Sequence, residues 1–354
     1  CFDYVLQANP EAVGAMNNKS YVLFRMENFP EAEKWAQKAL DLSPNNVDSM
    51  INLGIATAQN DKKEEALELW ERASVLDPDN SKIWSNWGNT LRDMNRIIDS
   101  EEKCRRACEL DPHDINAMNN LANALRDQGG VEEPLELYQK STDLLPENHI
   151  GHFNRALLLI DQERFNEALV SARYAIAFEK NNSSYYSALS VALRETDDIF
   201  GAQVAAGRAI KLDPDNPEPY IDMADVLLKS DRHDDGLAVL EKAKQLNPDS
   251  DRVHMKLSMV QDLLSEYEQA LESIDAALAL SPASPVLWVQ KAMLLLKSSR
   301  SEEAIETIDY ALTLAPRFVK ALCLKAEILI STNNNDEAKD VIAQARAIDD
   351  TVPG

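Results

Sequence analysis

The sequence predicts an all-α protein, a right-handed superhelical solenoid built from antiparallel helix pairs. Three observations predict it. Prolines recur at a fixed period: Pro10, Pro44, Pro78, Pro112 and Pro146 stand 34 residues apart, and after a missed beat at Lys180 the series resumes at Pro214, Pro248, Pro282 and Pro316. Small residues keep the same register at three points of every unit. Finally, with only 10 glycines in 354 residues and aromatics at 6%, the composition favours helices joined by few turns over sheets joined by many.

Numbering each unit from residues 13, 47, 81 and onward, position 8 reads Ser20, Gly54, Gly88, Ala122, Ala156, Ser190, Ala224, Ser258, Ala292 and Ala326. Position 27 is Ala39, Ala73, Ala107, Ser141, Ala175, Ala209, Ala243, Ala277, Ala311 and Ala345. Position 20 is small from Ala32 to Ala338 except at Pro134. Within the second unit, Met50, Leu53 and Thr57 fall at helical spacing and predict a helix over Val47 to Gln59. Ala66, Leu69, Trp70 and Ala73 predict a second one over Lys63 to Leu76. The small sites let the paired backbones approach, and Pro78 ends the unit because it cannot donate a helical hydrogen bond. One such pair cannot bury both of its faces, so stacking supplies a continuous core.

The domain reading is a partial repeat over 1–12, units one to five over 13–182, and units six to ten over 183–352. Pro134 follows Glu132 and Glu133 near a helix start, where proline is tolerated. Residues 1–10 read as the latter part of a second helix, and the last unit carries no polar capping helix, so a longer parent chain is expected.

A helical hairpin of 34 residues with large, small, aromatic and proline sites resembles the tetratricopeptide repeat. Trp84-Ser85-Asn86-Trp87-Gly88-Asn89 and Ala73-Ser74-Val75-Leu76-Asp77-Pro78 carry the likeness, which covers residues 13–352 as ten units. The resemblance implies a scaffold that binds other proteins or peptides along the first helices.

Several classes of function are disfavoured. A formal charge of -24 opposes nucleic-acid binding, which needs clustered Lys and Arg; basic or neutral polypeptides suit it better. No apolar stretch is long enough to span a membrane and no signal peptide is visible, so a cytoplasmic protein is expected. Cys1 would suit a lipidated envelope protein, but Phe2, Val5 and Leu6 already read as helix where a flexible tether belongs. Cys104 and Cys108 lie one helical turn apart without a second pair, and His149 and His152 lack a third ligand, so no metal is expected. No catalytic motif and no cofactor fingerprint is present. Acidic turns such as Asp77-Pro78-Asp79-Asn80 and Asp213-Pro214-Asp215-Asn216 read as helix caps.

The sharpest functional signal is at position 6, where Asn18, Asn52, Asn86, Asn120 and Asn154 recur before the run stops at Ala188. Position 9 adds Asn89 and Asn123, and position 12 adds Arg92 and Arg126. An amide can pair with both the N–H and the C=O of a peptide group. With helices about 10 Å apart and about 3.4 Å per extended residue, such a ladder would grip roughly every third peptide unit. The alternative is that these amides bond neighbouring helices. Ala117-Met118-Asn119-Asn120-Leu121-Ala122-Asn123 is similar to repeats of the O-GlcNAc transferase superhelix, which implies the same backbone-gripping mode here or a receptor region of a larger glycosyltransferase. A chaperone-type carboxylate clamp is disfavoured, because position 5 (Asn17, Ile51, Ser85, Asn119, Phe153) has no lysine. In units seven to ten, Met255, Met259, Val289, Met293 and Leu296 predict an apolar groove for a helix or apolar segment. Self-association through exposed helix faces is the alternative to a foreign partner.

Overall fold

The computed structural model describes residues 2–349. The lipidation question at Cys1 and the last residues of unit ten therefore lie outside the described residues. Among those described, the chain forms 21 helices and no strand. A short helix, α1 (Phe2–Ala8), precedes ten hairpins. The first helices are α2 (Val13–Arg25), α4 (Val47–Gln59), α6 (Ser81–Asp93), α8 (Ile115–Asp127), α10 (His149–Asp161), α12 (Ser183–Glu195), α14 (Glu218–Lys229), α16 (Asp251–Leu263), α18 (Pro285–Lys297) and α20 (Val319–Ser331). The second helices are α3 (Phe29–Leu42), α5 (Lys63–Leu76), α7 (Ile97–Leu110), α9 (Glu132–Leu144), α11 (Phe165–Phe178), α13 (Ile199–Leu212), α15 (His233–Leu246), α17 (Tyr267–Leu280), α19 (Ser301–Leu314) and α21 (Asn335–Ile348). The chain divides into two compact units, 1–179 and 180–354.

In each unit the hairpins stack so that a second helix packs on the next first helix, as α3 on α4 and α13 on α14. First helices also touch their counterparts, α2 with α4, α4 with α6 and α6 with α8 in the first unit, and α12 with α14, α14 with α16 and α18 with α20 in the second. Successive second helices make no comparable contact among the described residues. The first helices thus form a tighter, inner layer.

The three small columns are buried throughout. Two glycines show why size matters there. A Cβ on Gly54 would stand 2.8 Å from the fully buried Trp70 ring, and one on Gly88 would stand 2.3 Å from Cys104 Sγ. Both sites join position 8 of a first helix to position 24 of the second, where the backbones come closest. Pro134 is itself buried, in the first turn of α9, whose start falls at Glu132.

Two periodic devices close the joints. Between the helices of each hairpin one residue adopts positive φ: Glu27, Asp61, Asn95, Gly129, Glu163, Asp197, Asp231, Ser265, Ser299 and Asn333. The following amide reaches back to the last turn, as Asn28 N to Leu23 O at 3.0 Å and Glu266 N to Gln261 O at 2.8 Å, which satisfies the free helix carbonyls. Nine of these ten residues carry a side chain that the left-handed region disfavours. Ser265→Gly and Ser299→Gly are each expected to stabilise by about 0.5–1 kcal/mol, and Gly129→Ala to destabilise by a similar amount, read as shifts of thermal midpoint.

At five of the joints between hairpins, the side chain at position 4 hydrogen-bonds the carbonyl of the preceding proline. Trp84 Nε1 donates to Pro78 O and Trp288 Nε1 to Pro282 O, both at 2.8 Å. Tyr220 OH donates to Pro214 O at 2.9 Å. His152 and His254 use Nε2 toward Pro146 O and Pro248 O at 3.0 and 2.8 Å. Asn46, Asn80 and Asp114 cap the next helices through their side chains, and Asn216 accepts from Glu218 N at 3.0 Å.

Candidate functional site

Positions 2, 6 and 9 of the first helices face the inner side, and position 5 turns from its edge into the joint between stacked helices. In the first unit they border an open cleft of about 890 Å³, lined by α2, α4, the start of α6 and the turn into α8. Asn18, Asn52 and Asn86 lie along it, with Gly14, Asp48, Lys82 and Asn116 at position 2.

The five ladder asparagines share a register but not a bonding state. Asn52 Nδ2 donates to Asn17 O at 3.3 Å, and Asn120 Nδ2 donates to Ser85 O at 3.3 Å and Ser85 Oγ at 3.0 Å. In both cases the acceptor sits at position 5 of the preceding hairpin, so these amides tie neighbouring first helices together. Asn86 instead donates to Lys82 O of its own helix at 2.7 Å. Asn18 is exposed and Asn154 half-buried, and neither makes a hydrogen bond among the described residues. Each engaged amide keeps its oxygen unspent in these bonds.

Position 9 divides in the same way. Asn123 Oδ1 accepts from Tyr138 OH at 2.5 Å, and burial pushes that phenol up to about 12, so it remains a donor. Asn89 is half-buried with no protein partner among the described residues. The two arginines converge on one carboxylate: Arg92 Nε donates to Asp127 Oδ2 at 2.6 Å, and Arg126 Nη2 stands 3.9 Å from Asp127 Oδ1.

Sequence reasoning read position 5 only for the lysine a carboxylate clamp would need, not for its bonding between helices. Asn17, Ser85 and Asn119 are buried there. Asn17 Oδ1 accepts from Ser49 Oγ at 3.0 Å and Asn119 Oδ1 from Ser141 Oγ at 2.9 Å. The available signal was a polar residue one step before Asn18, Asn86 and Asn120, whereas Ile51 and Phe153 precede Asn52 and Asn154.

In the second unit the apolar expectation needs a correction. Val289 is only 2% exposed and belongs to the core with Leu287, Ala292 and Ile308, so it lines no groove. Position 5 points between stacked helices, and an apolar residue there is drawn into the core. Met255, Met293 and Leu296 are half-buried against that same core, whereas Met259 is exposed, as are Leu263 and Ile330. Gln290 repeats the bridging of the first unit, donating to Met255 O at 3.4 Å and Ser258 Oγ at 3.2 Å.

The other chemistry-bearing residues are structural. Burial raises the thiols of Cys104 and Cys108 to about 12 and about 11, which keeps them neutral. His152 stacks on Tyr174 with centroids 5.1 Å apart, and burial lowers its pKa. Among the described residues no group of three His, Cys, Asp or Glu could hold a metal ion, and no helix is long and apolar enough to cross a membrane.

Comparison with known proteins agrees with this architecture. Family models described as tetratricopeptide repeat match residues 1–47, 115–144, 193–260 and 289–353, together more than half of the chain. No curated protein matches the sequence, so the likeness to O-GlcNAc transferase rests on the asparagine register alone. The crystal structure of yeast Tom70 is similar with a TM-score of 0.55 at 17% identity, covering 95% of this chain and 92% of that one. A tetratricopeptide repeat protein from Parabacteroides merdae superimposes with a TM-score of 0.59 at 15% identity over 70% of this chain and 98% of its own. The crystal structure of the APC/C hetero-tetramer Cut9–Hcn1 gives a TM-score of 0.51 at 12% identity, covering 93% of this chain and 86% of that one. At these identities the likeness concerns the fold. With ten hairpins in one register, small columns at their closest approaches and matching family models along its length, the chain belongs to the tetratricopeptide repeat family.

Proposed function

We propose that this protein is an interaction scaffold that performs no chemistry itself and receives an extended segment of a partner polypeptide in the inner cleft of its first unit. The observation that supports this reading is the open polar cleft beside Asn18, Asn52 and Asn86, where unspent amide groups face the space a ligand would fill. Asn18, Asn89 and Asn154 offer both donor and acceptor, while Asn52 and Asn120 offer an oxygen toward peptide N–H groups. Binding of this kind reads backbone more than side chain, so it tolerates sequence variation. Exposed Met259, Leu263 and Ile330 in the second unit suit an apolar partner surface as a separate contact.

The test uses extended peptides of about 10 residues, the length that spans three helices, selected from a randomised library for binding to the full chain. Replacing Asn18, Asn86 and Asn89 together by alanine is expected to weaken binding at least tenfold at an unchanged melting point, since each lost hydrogen bond contributes about 0.5–1.5 kcal/mol. Equal affinities for wild type and variant would move the ligand elsewhere. Asn52→Ala and Asn120→Ala are expected to lower stability as well, because they remove bonds between helices.

A further inference from the structure

The turn that leads into the last hairpin departs from the chemistry of the turns before it. At five earlier joints the residue before a first helix caps it: Asn46, Asn80, Asp114, Asn148 and Ser250 each accept from an amide of the helix that follows. Phe318 takes that place before α20, which starts without a side-chain cap. The acids that flank proline elsewhere, as in Asp77-Pro78-Asp79 and Asp213-Pro214-Asp215, are replaced by Ala315 and Arg317 around Pro316. Phe318 packs half-buried against the core that holds Leu287 and Val289. The exchange gives up a helix cap and gains apolar contact.

Beside this turn the surface opens into a depression of about 600 Å³, lined by Pro285 and Val286 of α18 and by Ala315, Pro316, Arg317 and Phe318. Val286 is 50% exposed there although it is apolar. At the same register of the first unit the cleft is lined by polar residues, Ser81, Lys82, Asp111 and Asp114. Arg317 is the one charged residue of the six; it is exposed and makes no ion pair or hydrogen bond among the described residues. An apolar wall with a free cation at its rim is complementary to an apolar side chain that brings a carboxylate with it. We propose that this depression docks a segment of a partner polypeptide in which an apolar side chain stands next to an aspartate or glutamate. The apolar side chain covers Val286 and Phe318, and the carboxylate pairs with the Arg317 guanidinium. A formal charge of -24 repels a long acidic tract, so the site takes a single carboxylate beside its apolar anchor. This docking rests on neither the asparagine register nor the cleft of the first unit.

Fluorescence anisotropy with the full chain tests this, using two short acetylated and amidated peptides. Both have a leucine–phenylalanine centre, flanked by aspartate in one and by lysine in the other. Wild type is expected to bind the aspartate peptide about tenfold more tightly, the effect of one charge-assisted hydrogen bond. Arg317→Glu should reverse that order, and Arg317→Lys should keep it. Val286→Ser, at an exposed position, should weaken binding of the aspartate peptide about fivefold at an unchanged melting point. An order that Arg317→Glu leaves unchanged overturns the site. So does an aspartate-peptide affinity indifferent to Val286→Ser, or the binding of neither peptide. Self-association of wild type that Val286→Ser abolishes would seat a second copy of the chain there and overturn the assignment to a partner.

Discussion

Trp70→Ala is expected to lower stability by about 3–5 kcal/mol, the range for truncating a large buried aromatic. The indole is fully buried beneath Gly54, and its Nε1 donates to Thr90 Oγ1 at 3.2 Å, so it fills the second hairpin and ties it to the third. No other position-24 side chain is as large, and no other unit pairs tryptophan there with glycine at position 8. In a stacked array each repeat rests on its neighbours alone, so the loss should appear first as faster exchange in α4 to α7, with α9 to α11 less affected. Trp70→Phe retains most of the apolar contact and should cost far less. Uniform loss of protection through residues 13–179 would mean that the first unit folds as one cooperative body.

Gly88→Ala should destabilise by about 1–3 kcal/mol, the usual cost of overpacking, although alanine is the better helix former. The added methyl would meet Cys104 Sγ at 2.3 Å and the Ser100 carbonyl at 3.1 Å. The sulfur can be removed and the carbonyl cannot, so a double-mutant cycle separates them. Gly88→Ala combined with Cys104→Ala should recover part of the loss, with a coupling energy of about 1 kcal/mol or more. Simple additivity would show that the α6–α7 approach is fixed elsewhere.

Much of this architecture was legible beforehand because the repeat offers ten readings of one pattern. Prolines and small columns located every hairpin, and Val47–Gln59 and Lys63–Leu76 appear with the expected ends. The left-handed turn residues escaped notice because glycine, the usual marker, occupies only Gly129, while glutamate, aspartate, asparagine and serine fill the other nine places. The asparagine register was visible, yet its bonding was not. Whether an amide turns to a neighbouring carbonyl, like Asn52, or to its own helix, like Asn86, depends on how closely adjacent helices approach. Val289 was misplaced for a related reason: helical periodicity assigns a face, and the core between hairpins and the inner surface lie on adjoining strips of it.

The bond from position 4 to the preceding proline carbonyl has a consequence for how such a gene can be cut and rejoined. It crosses the junction where one hairpin gives way to the next, as Trp84 to Pro78 and Trp288 to Pro282. A cassette transplanted from the first helical residue onward would leave its acceptor behind and meet a foreign loop. The module that can be duplicated, deleted or grafted intact runs from proline to proline, Pro78 through Asp111 rather than Ser81 through Asp114, and recombination that respects this frame preserves the joint.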